Sequence, residues 1–296
     1  MCYTKEVSLV TSGVIFTSTI FTWVKYYLGK ANAKIRNLDP RVHGFIKYTI
    51  IGFALIGGHQ LFEFLSIWSG SQIVYKIGLL ISISYTYFLL LALEKLTRRA
   101  FGSQLYPVVI AALGVYMFNT NMTFSEAHFY VRGNSHLVWS LTWMILFIYW
   151  NLCVVTVAVQ LRDKFNRRLL FLYPWVFTNF SYLLMLGYVF MAYAYLGSPV
   201  IASVITCAGL ADTLKDYSFQ KDIASIWCAF AAVAVIFIPT FFGAMVEKFK
   251  AADLSHVKSF TFQRAAAYLA ASAAILFFLY TVLPAMIYVG FKMVTK

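Results

Sequence analysis

Apolar runs, most of them as long as a membrane-crossing helix and parted by short polar connections, set the pattern of this chain. A helix needs about 20 apolar residues to cross roughly 30 Å of hydrocarbon, and lipid tolerates only backbone whose hydrogen bonds close internally. On that measure about eight spans are predicted: Ser8–Leu28, Tyr48–Trp68, Ile73–Leu93, Leu105–Phe118, Leu137–Gln160, Leu169–Leu196, Ile223–Val246 and Ala265–Gly290. The fourth run is short, and Gln104 and Asn119 to Met122 are the residues that would extend it. Pro239 and Pro284 fall inside the last two spans and predict kinks, which neighbouring helices make tolerable. No fixed-period repeat or low-complexity linker interrupts the pattern, so the expected fold is all-α: a polytopic transmembrane helical bundle forming a single domain over residues 1–296.

Charge gives this bundle a direction. Lys30, Lys34, Arg36, Arg41 and Lys47 follow the first span; Lys95, Arg98 and Arg99 follow the third; Arg162, Lys164, Arg167 and Arg168 follow the fifth; Lys248, Lys250, Lys258 and Arg264 follow the seventh. These connections share one side, and an excess of Lys and Arg marks it as cytoplasmic. The other side carries Lys76, Arg132, and Lys215 and Lys221 set against Asp212, Asp216 and Asp222. Both termini are then expected outside. Pro199–Ala211 is apolar but thirteen residues long, with Ser198 and Pro199 suited to the N-cap and first helical position. Counted as a span it would break the charge alternation, so it is read as a re-entrant or interfacial helix on the outer side.

Composition fits the same picture. With 61% hydrophobic and 12% charged residues, the chain has too few polar groups to coat a soluble globule. Trp68, Trp139, Trp143, Tyr195 and Trp227 lie near predicted outer ends, and Trp23, Tyr26, Tyr27, Tyr173 and Trp175 near inner ones, as two aromatic belts require. The net charge of +13 reports orientation, and no basic helix stands apart from the spans to suggest nucleic acid. The expected partners are the lipid bilayer and other membrane subunits. Cys153, Cys207 and Cys228 sit in apolar runs without CxxC spacing, which points to packing and away from a disulfide framework or zinc knuckle. The N-terminus lacks a basic n-region and a small-x-small site, so the first run is expected to be a retained span.

Ionisable side chains at membrane depth need a reason. His59 and Glu63, within Gly57-Gly58-His59-Gln60-Leu61-Phe62-Glu63, are four apart and share a helical face in the outer half of the second span. Gly57 and Gly58 are expected to let another backbone approach that face. The fourth connection adds Glu126, His128 and His136 on the same side; Glu126 and His128, two apart, point alike if their segment is extended. His59, His128 and His136 with Glu63 and Glu126 would suit a transition metal such as zinc, copper or iron. The competing reading makes His59 and Glu63 a hydrogen-bonded pair that stitches helices, and His128 and His136 solvated loop residues. The spacing is not the His-Glu-x-x-His of zincins, and no GxSxG, P-loop or dinucleotide fingerprint occurs. Asp212 and Asp216 suit a solvated loop face, Asn179 and Ser181 suit pairing between helices, and Asn121-Met122-Thr123 is a formal glycosylation acceptor.

Met1-Cys2-Tyr3-Thr4, followed by Glu6, Val7 and Ser8, resembles the Met-Cys-aromatic-Ser/Thr start of a widespread set of uncharacterised, mostly prokaryotic, multi-pass membrane proteins. Gly58 to Trp68, with Gln60, Leu61 and Glu63, is similar to their Gln-Leu-x-Glu element ahead of a Trp, and Asn134-Ser135-His136 to their Asn-x-His element. The resemblance covers about 25 residues in three patches. It implies a seven- or eight-helix fold with no assigned reaction, and that Cys2, Glu63 and His136 belong together, with Cys2 as thiolate ligand or cap. His59 departs from the pattern, where Gln or another residue often stands.

Three functions fit these observations. A binding, sensory or accessory-subunit role needs no chemistry beyond the outer polar cluster. A metal-dependent enzyme would use His59, Glu63, His128 and His136, with a carboxylate as general base. A transporter is suggested by the re-entrant segment and the span prolines, though no inverted halves are evident.

Overall fold

The structure is a computed structural model describing residues 5–28, 39–120, 123–125, 130–132, 134–164, 167–168, 170 and 257–278, with isolated positions 282, 286 and 293. Apart from Leu170, the predicted sixth span lies outside the described residues, as do the seventh span, Pro199–Ala211, Asn179, Ser181, Asp212 and Asp216 and most of the eighth span beyond Phe278.

The architecture is helical. Helix α1 runs Lys5–Trp23 and passes into a π-helical turn, Val24–Leu28. Helices α2 (Pro40–Ser69), α3 (Gln72–Thr97), α4 (Leu105–Asn119), α5 (Asn134–Gln160) and α6 (Phe262–Phe277) follow. Pro40–Ser69, Gln72–Thr97 and Leu141–Gln160 are long and apolar enough to cross a membrane.

Helix α2 begins eight residues before its predicted span because the start signal lies in polar sequence. The Asp39 carboxylate accepts from the Arg41 amide at 2.8 Å, and Pro40 occupies the first turn, where its missing N–H costs nothing. At 30 residues α2 is about 45 Å long, so its first turns carry Arg41, His43 and Lys47 beyond the apolar stretch. It stops at Gly70, whose φ of 65° is the left-handed cap that glycine adopts freely. Ser71 then accepts from the Val74 amide and opens α3. This short turn makes α2 and α3 an antiparallel pair, the most extensive among the described residues.

Helix α4 spans 15 residues, about 22 Å, short of the ~30 Å a crossing needs. The helix takes in Asn119 of the candidate extension and ends there, with Thr120 extended at φ −112°, ψ 143°; Asn121 and Met122 lie outside the described residues. Lys76 is the physical reason the helix can end there. It is buried within α3, and its ammonium donates to the Thr120 carbonyl at 2.7 Å, satisfying the C-terminal end of α4 with a cation. Beyond α4, Thr123–Ser125 and Tyr130–Arg132 form a three-residue antiparallel pair, a small ladder the hydrophobic pattern does not announce.

Helix α5 supplies the core ladder. Trp139, Trp143, Phe147 and Trp150 fall at helical spacing, with successive ring centroids 6.2, 5.6 and 5.7 Å apart. Tyr85 of α3 meets Trp143, and Tyr268 of α6 meets Tyr149 and shares a 2.9 Å hydrogen bond with Thr156. Arg41, Lys95, Arg98, Arg99 and Arg264 gather at one end of this packing, the basic end, where the Phe260 amide donates to the Ala100 carbonyl. His59, Glu63, Lys76 and Trp139 lie toward the far end.

Candidate functional site

The helix register brings His59 and Glu63 together as their spacing requires. Both are buried, 7% and 5% exposed, and His59 Nε2 lies 3.6 Å from Glu63 Oε1. The site is held by helix α3. His59 Nδ1 lies 3.0 Å from the Gly78 carbonyl, which can only accept, so Nδ1 carries the proton and donates. In the neutral ring Nε2 is then a bare acceptor, facing a carboxylate oxygen that is also an acceptor. Two acceptors at this distance require a proton or a cation between them. The other oxygen, Glu63 Oε2, is buried with no hydrogen-bond partner among the described residues.

Three neighbours complete the walls. The Trp139 ring of α5 is 6.5 Å from the imidazole at a 33° tilt, and its Nε1 donates to the Leu79 carbonyl at 2.8 Å. Consecutive carbonyls of α3, at Gly78 and Leu79, thus take side-chain donors from α2 and α5. Tyr75, 2% exposed and one turn before Gly78, is close enough to Glu63 to feel its charge. Ser12 of α1 donates to the Gly57 carbonyl at 3.0 Å. The antiparallel run of α1 along α2 carries Ser8, one turn earlier, alongside the Gln60–Glu63 stretch, and its buried hydroxyl has no partner among the described residues.

The glycine expectation is half met and half displaced. A Cβ on Gly57 would come 3.0 Å from Ile15 and 3.3 Å from Phe16, so α1 does approach there, whereas one on Gly58 would meet Ile81 at an ordinary 3.5 Å. Among the described residues the tightest glycine is Gly78, where a Cβ would fall 2.9 Å from that of Phe62. Its lack of a side chain lets α2 come close at Phe62, and at that separation the imidazole reaches the Gly78 carbonyl.

The expected hydrogen-bonded His59–Glu63 pair is not what stitches the helices. The 3.6 Å gap exceeds a hydrogen bond, and the stitch runs through the opposite ring nitrogen to Gly78. His136 lies in the first turn of α5, three positions before Trp139, so its backbone is at the same end of the packing as His59; its side chain lies outside the described residues. Cys2, Glu126 and His128 also lie outside them. Among the described residues no group of three or more His, Cys, Asp and Glu side chains comes together. Tyr75, Gly78 and Trp139 are the wall residues that sequence reasoning missed. The available signal was the three-residue spacing of Tyr75 and Gly78, which puts both on one face of α3.

The class these features define is a helical protein with membrane-length apolar helices and a buried imidazole–carboxylate pair toward one end. No family model, curated protein or solved structure matches the chain.

Proposed function

We propose that this protein is a multi-pass membrane protein of about eight spans with a binding or sensory role, and that His59 and Glu63 form the nucleus of a transition-metal site in its outer half. The observation that carries the reading is the 3.6 Å separation of Nε2 and Oε1. Two ligands each about 2.0–2.2 Å from a shared tetrahedral ion stand roughly 3.3–3.6 Å apart. Donation from Nδ1 to a backbone carbonyl is the outer-shell bond that fixes a metal-binding imidazole with Nε2 toward the ion. The unpartnered Oε2 supplies a further donor atom on the same carboxylate.

His136, His128, Glu126 and Cys2 are the candidates to complete the shell. The alternating Lys and Arg of the connections support a cytoplasmic basic end and outward-facing termini, with the site opening away from the cytoplasm. Metal analysis of the full chain, purified without chelators, tests the reading. The expected result is near one equivalent of zinc, copper or iron per chain, falling below about a tenth in Glu63→Gln and His59→Gln with helical content unchanged. Less than about a tenth of an equivalent in the wild type would overturn it.

A further inference from the structure

A groove of about 520 Å³ runs between α1 and α2 at the basic end, away from the His59–Glu63 site. Its walls are two helical stripes: Phe16, Ile20 and Trp23 from α1, and Lys47, Ile50 and Ala54 from α2. Thr19 also lines it, but its hydroxyl donates to the Ile15 carbonyl at 2.6 Å, leaving only the methyl for an occupant. From Lys47 to Leu55 the α2 wall covers nine residues, about 13 Å, against about 15 Å of hydrocarbon in one leaflet.

Lys47 and Trp23 line the basic end of the groove, Tyr48 adjoins Lys47 in sequence, and Lys25 follows Trp23 by two residues. Lys47 and Lys95 both lie against Tyr48, 5.5 and 5.9 Å from its ring centre. Lys25, in the π turn that follows Trp23, lies 5.1 Å from the Tyr26 ring and 5.5 Å from Phe21. None of the three ammonium groups is in an ion pair with a carboxylate of the described residues. Of the described carboxylates at this end, Asp39 is clasped by Arg41, Glu94 holds the loop after α3, and Asp163, which follows α5, does not line the groove. Cations that no described carboxylate pairs with, beside an apolar groove, complement a phosphate joined to a hydrocarbon chain.

The geometry points to a binding site for one anionic phospholipid, its phosphate at Lys25, Lys47 and Lys95 and an acyl chain along the Phe16–Ala54 groove. Trp23, which lines the groove at this end, is the aromatic ring placed for the glycerol region of such a lipid. The occupant is a lipid of the leaflet at the basic end, where anionic headgroups concentrate if that end is cytoplasmic.

Native mass spectrometry of the full chain from nanodiscs of equal phosphatidylglycerol and phosphatidylcholine tests this. The wild type is expected to retain one phosphatidylglycerol in about tenfold or greater excess over phosphatidylcholine. A triple variant, Lys25→Gln, Lys47→Gln and Lys95→Gln, is expected to lose that excess, and Ala54→Trp, which fills the groove, to lose retained lipid of either kind. Equal retention of the two lipids by the wild type, or an excess that survives the triple variant, would overturn the site. So would a photo-crosslinker at position 54 that captures residues of this chain in place of lipid. The lysine variant alters only exposed side chains, so the test stands even if Ala54→Trp misfolds.

Discussion

Glu63 and Glu94 are two carboxylates on an antiparallel helix pair, and they are treated in opposite ways. At the basic end Glu94 Oε1 accepts from the Phe101 amide at 2.7 Å and the Ser103 amide at 3.2 Å, and Oε2 accepts from the Ser103 hydroxyl at 2.6 Å. Both its oxygens are used, and the loop between α3 and α4 is built on them. Toward the far end Glu63 has one oxygen facing an acceptor nitrogen and the other without a donor among the described residues. A satisfied carboxylate organises backbone, while an unsatisfied buried one is costly unless something else binds it. The difference separates a structural clamp from a candidate site.

The largest expected effect tests that separation directly. Glu94→Ala removes a charged acceptor from two amides and a hydroxyl and is expected to cost roughly 4 kcal/mol, at 1.5–3 kcal/mol for each bond to a charged group with partial replacement by water. Glu63→Gln in metal-free protein is expected to change stability by less than about 1 kcal/mol, because no hydrogen bond to the carboxylate is lost. Denaturant unfolding of both variants in the same detergent measures the two. Equal losses would mean that Glu63 is also a clamp and would remove the ground for reading a site there.

Next in size is the wall that holds the imidazole. Gly78→Ala sets a Cβ 2.9 Å from that of Phe62, where neither backbone can yield freely, and is expected to destabilise by about 2 kcal/mol through overpacking. Because the same shift moves the Gly78 carbonyl away from Nδ1, metal affinity is expected to fall with stability. Gly58→Ala, with its nearest contact at 3.5 Å, is the control and is expected to change both little. Metal titration and unfolding of the pair give the comparison, and identical behaviour of the two glycines would refute the assignment of Gly78 as the close approach.

Much of the helical pattern was legible, because apolar runs of about 20 residues leave little choice of structure. Helices α2, α3 and α5 occupy the runs that pattern marks, and their ends differ where capping chemistry lies among polar residues, as with Asp39 and Pro40. The three-residue strands at Thr123–Ser125 and Tyr130–Arg132 are too short for any periodicity to reveal. For the site, the four-residue spacing of His59 and Glu63 is local and could be read directly. The partner of the ring could not, since a backbone carbonyl nineteen residues away leaves no mark in side-chain identity. Lys76 shows the same limit: in sequence it counts as a charge beside a turn, and only packing reveals that its stem carries the ammonium to the end of α4.

That lysine gives a smaller effect, at the far end but independent of Glu63. Lys76→Met keeps the stem and removes the donor to the Thr120 carbonyl, with an expected cost of about 1.5 kcal/mol. Hydrogen exchange is expected to rise in the last turn of α4 and to leave the amides after Glu94 unchanged. Loss of protection in both places would mean that the two ends are one cooperative unit and not separable regions.

The smallest effect is electrostatic and belongs to the basic end. Hydrogen bonding from the Arg41 guanidinium, aided by the Arg41 amide and charge, holds the Asp39 carboxyl below its ordinary value despite partial burial. A depressed folded-state pKa means that the ionised form is favoured by folding. The resulting stabilisation is fully present above the ordinary Asp range of about 3.9 and is lost as pH falls through the lower folded value. The pair is substantially solvated, with side chains 23% and 33% exposed, so solvent and salt screen it and the contribution is small. Asp39→Asn keeps an N-cap acceptor for α2 while removing the charge. Its unfolding free energy is expected to match the wild type near pH 2 and to fall slightly below it from about pH 5 upward. A gap that instead widened toward acid would reverse the sign and place the stabilising interaction on the neutral carboxyl.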